Sequence, residues 1–556
     1  MLKFSNQNVG RQNAMKRTGR IWLLAALLAM LAVLSAAAED VIQINGELEP
    51  KTLEETLQML EAETEAYYQD PEMEEELKSE IEHHEDKYPT GEVNEYYSLT
   101  HDGKTMRFKM EVRGKADENG RYPLYITLHG GGESEPESND GEWFTMFNYY
   151  RDAVKDGIYI ACRGITDTWD LHFVPDAYPL YDRLIQSMIY LYKADPNRVY
   201  LLGFSAGGDG VYQITPRMAD RFAAANMSSG HPNGVYLINL ANCPFSIQVG
   251  VRDYYSESAM RCIRGAEFEK VLSDYHAMLD YGYEHQVLVR VPAGHNYDDW
   301  SDIDNAVELL GEEYRENLEE DIYAEVLEDP TIYVEPTVVE AMLTRFLDAF
   351  QKITGLGDDI TNLSYTGVEA FPAFDEEIRN IVTEEFGLET KKVNGGAVSF
   401  VRKYTRNPVP SFVIWDLSTR APSRSVTSFY WLRADQSVNT GVIQGIQAGD
   451  NTLMIKTDGV NGDFSILINP CLVDVSEPIH IMTDTGNYTV KVNPSEEILR
   501  ESIRETGDPS LAWVAEIPYS LLTGGTLPAE DGTAEYESGA DGEAADYAAD
   551  DDQADG

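Results

Sequence analysis

A single serine stands where an apolar, β-branched run meets a glycine-rich one. Val199 to Tyr212 reads VYLLGFSAGGDGVY, and inside it Gly203-Phe204-Ser205-Ala206-Gly207 fits G-x-S-x-G. A serine hydroxyl is a weak nucleophile at neutral pH and needs both a base and an accessible, strained position. The spacing predicts the position. The strand VYLL runs into a sharp turn that pushes Oγ out at the end of a sheet, and a helix continues through GGDGVYQITPRMADRF. Glycines on both sides of the serine remove the Cβ atoms that would clash in such a turn. Ser205 is therefore the candidate nucleophile, and the chemistry it suggests is acyl transfer.

In the chain order that goes with such a turn, an acid and then a histidine follow the serine. His295 lies in VLVRVPAGHNYDDW, just past a strand-like run, where a loop-borne base should sit. His231, in SSGHPNG, precedes every good candidate for the acid and is read as a pocket-wall or structural residue. Asp253 follows the buried-strand pattern Phe245 to Val251 and can accept the imidazole Nδ1 proton, fixing the tautomer. Its rivals are weaker: Asp209 on the helix after the serine, Asp298 and Asp299 too close in sequence to His295, and Glu257 in the same loop as Asp253. A tetrahedral intermediate also needs N–H donors aimed at its oxyanion. LHGGG, Leu128 to Gly132, follows the strand YPLYIT directly and offers the N–H of Gly130 or Gly131, with that of Ala206 as the second donor.

These residues need a rigid frame, and the flanking pattern supplies one. MRFKMEV, YPLYITL, GIYIACRG and VYLLGFS read as strands, separated by helical stretches near Trp143 to Val154 and at YDRLIQSMIYLYKA. Strands alternating with helices imply an α/β fold, a mostly parallel sheet covered on both faces. The predicted organisation is a leader at 1–38, an acidic helical region at 39–100 and an α/β domain at 101–404. An acidic, helix-rich insertion interrupts that domain at about 305–396. A smaller all-β, sandwich-like domain at 405–523 follows, then an acidic tail at 524–556 too poor in apolar residues to fold. Leu53, Leu57 and Leu60 are expected on one helix face, and His83-His84 on a solvated helical face rather than in a metal site.

The leader carries Lys3, Arg11, Lys16, Arg17 and Arg20, then the apolar run Ile21 to Leu34 and the small residues Ala36-Ala37-Ala38. That is a secretory signal, so the expected location is extracytoplasmic, secreted or in the cell envelope, with no stable membrane span after cleavage. The net charge of -53 argues against a nucleic-acid partner, because a phosphate backbone selects a basic surface. Four cysteines, Cys162, Cys243, Cys262 and Cys471, are too few for a disulfide scaffold in 556 residues. A Cys243–Cys262 bridge and buried thiols remain equal alternatives. No Cys/His spacing fits zinc, and no cofactor is implied.

ACRGITDTWDLHF, the stretch from DPNRVYLLGFS to SSGHPNG, and PFSIQVGVRD together resemble exported bacterial α/β-hydrolases. These are similar to polyhydroxybutyrate depolymerase-like and feruloyl esterase-like enzymes and to the hydrolase domain of prolyl oligopeptidases. The resemblance covers about Lys104 to Trp300 and resumes at TRNPVPSFVIW and SFYWLRA. It implies Ser205, Asp253 and His295 as a catalytic triad and His129 to Gly132 as the oxyanion loop. It also suggests that Trp169 and His172 line the substrate cleft, and His129 and His231 are further cleft candidates beside them. The chain departs from the family in its acidic insertion after His295, a candidate lid or partner-binding segment, as is the N-terminal region. The expected function is a secreted serine esterase acting on a small-molecule or polymer-borne ester. A prolyl oligopeptidase-like peptidase is one alternative. The other is a catalytically silent surface-binding protein using Trp415, Tyr430 and Trp431.

Overall fold

The structure is a computed structural model. The residues described are 41–45, 51–87, 93–250, 253, 261–290, 295, 323–327, 388–392, 396–422 and 427–524. The expected leader, most of the insertion, and the tail beyond Gly524 lie outside them.

β1 (Ile42–Ile44) precedes two helices, α1 (Leu53–Tyr68) and α2 (Pro71–Glu80). Their starts are local. Thr52 and Glu55 form a reciprocal capping box, and Asp70 caps α2 with proline at its first position. The face of α1 differs from expectation: Leu57 is exposed, while Thr56 and Tyr67 are buried and Met59 and Leu60 pack on the core. Beyond α2, the described residues of the expected helical region are sheet. His83 and His84 lie on β2 (Ile81–Lys87), paired antiparallel with β3 (Val93–His101). His84 stacks on Tyr96 at 4.8 Å, and its Nε2 lies 2.8 Å from Ser98 Oγ. Such cross-strand pairs give β2 contacts that a lone acidic helix would lack.

The chain then builds β4 (Lys104–Arg113), β5 (Tyr122–Leu128), α3 (Pro136–Tyr149), β6 (Gly157–Cys162), α4 (Ala177–Leu191) and β7 (Ala194–Phe204). It continues through α5 (Ala206–Ile214), β8 (Ala224–Ser228), β9 (Phe245–Gly250), α6 (Arg261–Leu279) and β10 (His285–Arg290). The last pieces are β11 (Tyr323–Leu327), β12 (Leu388–Lys392) and α7 (Ala397–Val401). The sheet order is β12-β11-β10-β9-β8-β7-β5-β6-β4-β3-β2. Its centre, from β6 to β10, is parallel, and both edges are antiparallel. This is the α/β-hydrolase fold. Strand β5 has β6 on one side and β7 on the other, so the strand order reverses there. The loops leaving the carboxyl ends of β5 and β7 meet at that switch point, the place where open α/β sheets bind ligands. Most of 305–396, read as helix-rich, lies outside the described residues; within it, β11 and β12 continue the sheet beyond β10. Left alone, the outer edge of β10 would present unpaired N–H and C=O groups, and antiparallel pairing with β11 covers it.

The C-terminal part contains β13 (Phe412–Asp416), β14 (Ser428–Phe429), β15 (Leu432–Ala434), β16 (Val442–Gln447), β17 (Thr452–Asp458), β18 (Phe464–Ile468), β19 (Ile479–Thr483) and β20 (Asn487–Val492). After these come α8 (Glu496–Thr506), β21 (Ala515–Pro518) and α9 (Tyr519–Thr523). They form a sheet of order β1-β20-β19-β17-β16-β13 and a smaller one of order β14-β15-β18-β21. This differs from a separate all-β domain. β1 supplies an edge strand from the other end of the chain, two helices are present, and one apolar core runs on into the hydrolase sheet. Arg406 is buried at the join, donating to Asn197 Oδ1 at 2.9 Å and Asp220 O at 2.7 Å and pairing with Asp508. Trp415, Tyr430 and Trp431 are buried, which removes them as a binding surface. Gly445 makes room for Trp431, because a Cβ there would stand 2.2 Å from the indole. Burying side chains of this size stabilises by about 1.5–3 kcal/mol each.

The acidic N-terminal helices brace α4 and α8. Arg183 of α4 pairs with Glu76 and Glu80 at 2.5 Å, and Arg500 of α8 with Glu63 at 2.9 Å. Cys162 and Cys243 are buried free thiols and Cys471 is an exposed one, so Cys243 takes no part in a bridge to Cys262. Among the described residues no helix is long and apolar enough to cross a membrane, and no group of acidic, His and Cys side chains could hold a metal ion.

Candidate active site

Ser205 stands between β7 and α5 with φ 57° and ψ −121°, a strained backbone for a residue with a side chain. Two positions beside it, Gly203 and Gly207, have no room for a side chain. A Cβ on Gly203 would stand 2.2 Å from Gly207 O, and one on Gly207 would stand 2.0 Å from Leu128 O. The Ser205 N–H donates to Ser228 O at 2.9 Å, tying the turn to the end of β8.

His295 Nε2 lies 2.8 Å from Ser205 Oγ, and His295 Nδ1 lies 3.0 Å from both carboxylate oxygens of Asp253. Asp253 is 2 % exposed and receives Arg261 Nη1 at 3.0 Å. The Arg261 N–H also donates to the Asp253 carbonyl at 3.2 Å. Two further contacts place the imidazole: Phe204 packs its ring 5.3 Å away, and Ser229 Oγ donates to His295 O at 3.1 Å. The arrangement can take a proton from Oγ onto Nε2 while Asp253 stabilises the imidazolium.

The loop after β5 runs beside this chain of three. A Cβ on Gly130 would stand 3.2 Å from Ser205 Cβ. The Ala206 N–H opens α5, where first-turn N–H groups have no intrahelical acceptor, so it is available to an oxyanion. Gly131 and Gly132 take φ of 97° and 88°, open to glycine alone without strain. Asn139, buried on α3, holds the loop: its Oδ1 accepts from the Gly132 N–H at 2.8 Å and Ser134 Oγ at 3.0 Å, and its Nδ2 donates to Asp167 at 2.9 Å. Buried Arg163 backs the clamp, pairing with Asp167 and with Asp140 at 2.7 Å.

Of the cleft candidates, His129 and His172 are fully buried and line no cleft. His129 Nδ1 donates to Gly130 O at 2.5 Å and its Nε2 accepts from the Gly164 N–H at 3.0 Å. His172 Nε2 donates to His129 O at 2.8 Å. Burial holds His129 well below the ordinary imidazole range and pushes His172 down to about 4, since a proton on its unpartnered Nδ1 would be a buried orphan donor. Both are neutral struts of the loop, conserving its shape rather than touching substrate. His231 engages its neighbours: its N–H donates to Asp209 Oδ1 at 2.6 Å and its Nδ1 lies 2.7 Å from Asn233 Oδ1. Burial raises the Asp209 carboxyl. Trp169 is 52 % exposed beside a groove formed with Glu133, Glu135 and Asp167. Asp298, Asp299 and Glu257 lie outside the described residues.

Sequence reading missed Asn139, Arg163, Ser229 and Arg261. It also missed a buried relay behind the serine, in which Tyr150 OH and Asn226 Nδ2 donate to Ser228 Oγ at 3.0 and 2.9 Å. Gln248 Nε2 donates in turn to Asn226 Oδ1 at 3.1 Å. Polar residues on strands otherwise as apolar as β8 and β9 were the available signal.

No family model matches the chain, and no curated protein sequence matches it. Solved structures similar to it include a thermostable esterase, 16 % identical over 38 % of this chain and 56 % of that one, with TM-score 0.26. The chain thus spans little more than half of that esterase. A poly(3-hydroxybutyrate) depolymerase from Bordetella parapertussis is 15 % identical over 38 % of this chain and 88 % of its own, with TM-score 0.31. A ferulic acid esterase is 16 % identical over 39 % and 91 %, with TM-score 0.27.

Proposed function

We propose that this chain is an exported serine hydrolase that cleaves carboxylic esters through an acyl-Ser205 intermediate. One observation carries the reading: Ser205 Oγ, His295 and Asp253 form an unbroken hydrogen-bonded chain at a strained strand–helix turn. His295 Nε2 removes the Oγ proton as Oγ attacks the ester carbonyl. Asp253 fixes the tautomer and stabilises the imidazolium, and the N–H groups of Ala206 and the Gly130–Gly131 loop receive the oxyanion. The imidazolium then protonates the leaving alcohol. Water, deprotonated by His295, releases the acid and restores Ser205. The reaction draws on side chains and water, with no cofactor. The leader, Lys3 to Ala38, supports export. The surface-binding alternative loses its three aromatics to the core.

A fluorophosphonate probe, read by intact mass, should label the wild-type protein once and Ser205→Ala not at all. Nitrophenyl esters should turn over far faster than prolyl amides. Equal labelling of the two proteins would sink the reading, and a preference for prolyl amides would make the enzyme a peptidase.

A further inference from the structure

Glu142 lies one helical turn after Asn139, so both project from the side of α3 that faces the glycine loop. Asn139 reaches Gly131 and Gly132, and Glu142 reaches Gly130. A Cβ placed on Gly130 would stand 3.2 Å from Ser205 Cβ and 3.4 Å from Glu142 Oε2. An exposed carboxylate is therefore a next-door neighbour of the nucleophile and of the loop meant to receive an oxyanion. For a neutral ester this placement works against catalysis, because like charges repel as the oxyanion develops. The cations that meet α3 and its loop have other partners: Arg107 and Arg163 pair with Asp140, and Arg163 also with Asp167. Buried Lys109 lies among the Trp143, Phe144 and Phe147 rings and bonds Asn94, and Arg151 pairs with Asp152.

Resting on the serine-hydrolase reading, we infer that Glu142 sets the charge of the substrate. The Ser205 site takes esters with a positive charge a few ångströms from the scissile carbonyl and turns away esters with a negative charge there. A substrate cation cancels the carboxylate's effect on the oxyanion and gains an ion pair with it. A substrate carboxylate meets two adverse charges.

The test uses nitrophenyl butyrates whose acyl chains end in a trimethylammonium, a tert-butyl or a carboxylate group. A parallel butyrate series carries the same three ends on the alcohol. Wild type, Glu142→Gln and Ser205→Ala are compared at low and high salt. In at least one series the wild-type kcat/KM should favour the cationic over the tert-butyl ester by about five- to tenfold and disfavour the anionic one by a similar factor. Glu142→Gln should bring all three within about twofold, and high salt should shrink the wild-type spread. Ratios within one protein are insensitive to the fraction folded. Ser205-dependent turnover with equal preference in wild type, or a preference unchanged in Glu142→Gln, overturns this inference alone. Turnover that survives in Ser205→Ala, or none in wild type, overturns the serine reading and this inference with it.

Discussion

The two sides of Ser205 are held by different means. On the oxyanion side, the loop after β5 is fastened by residues buried in the fold: Asn139, Arg163, His129 and His172. On the acid–base side, Asp253 and His295 come from beyond β9 and β10 and are positioned through each other, Arg261, Ser229 and Ser205 itself. The first side is a framework whose polar groups exist to shape backbone. The second, on the proposed function, is a proton path whose polar groups change charge. The contrast shows in the histidines. His129 and His172 meet carbonyls and N–H groups and stay neutral, whereas His295 meets a carboxylate and a hydroxyl. The partner, not the residue type, decides between strut and base.

The largest test of this contrast is Asp253→Asn. It keeps the shape of the side chain but removes the charge that favours the imidazolium. We expect kcat to fall by about 10⁴, with the melting temperature changed far less than for a break in the framework. Stopped assays beside calorimetry would check it, and a loss of stability matching the loss of rate would break the comparison.

Asn139→Ala attacks the other side. It leaves the Gly132 N–H without its acceptor and Asp167 without one donor. The expected cost is about 1–3 kcal/mol of stability together with a fall in kcat of about 10², and KM within about threefold. Here rate and stability should fall together, with kcat rather than KM carrying the rate loss. A folded variant with full kcat would remove the clamp from the account.

The third expectation concerns pH. An unfolded histidine titrates near 6.5, whereas His172 is held down to about 4. Between these values the unfolded chain binds a proton that the folded chain refuses. Stability is therefore fully present above pH about 6.5 and is lost as pH falls toward 4. His172 alone contributes on the order of 3 kcal/mol across that window. His172→Gln, which keeps a donor for His129 O, should flatten the melting temperature over that range. An unchanged slope would assign the acid sensitivity elsewhere.

How much of this was legible depended on the range of the interaction. Ser205, the glycines around it and LHGGG were readable because a strained turn constrains residues adjacent in sequence. Asp253 and His295 were readable only as loop residues after strand-like runs, in an order that suits the serine. Their 3.0 Å approach depends on β9 and β10 lying side by side. Asn139 was not legible, since an asparagine in PESNDGEW reads as polar helix surface until the loop after β5 is laid against it. The His83-His84 segment was misread because its local pattern is acidic and polar, whereas its partner β3 lies in another segment. The aromatics of β13 to β15 were ambiguous alone and proved to be core.

The sequence by itself determined the turn at Ser205, the glycine loop and the alternation of strands and helices, because backbone sterics and hydrophobic period act over a few residues. Tertiary structure alone decided which histidines are struts, which carboxylate meets His295, and that β1, β11 and β12 join sheets remote in the chain. Those outcomes depend on burial and on hydrogen-bond partners. Both are set by which surfaces pack together, and no local stretch of sequence contains that information.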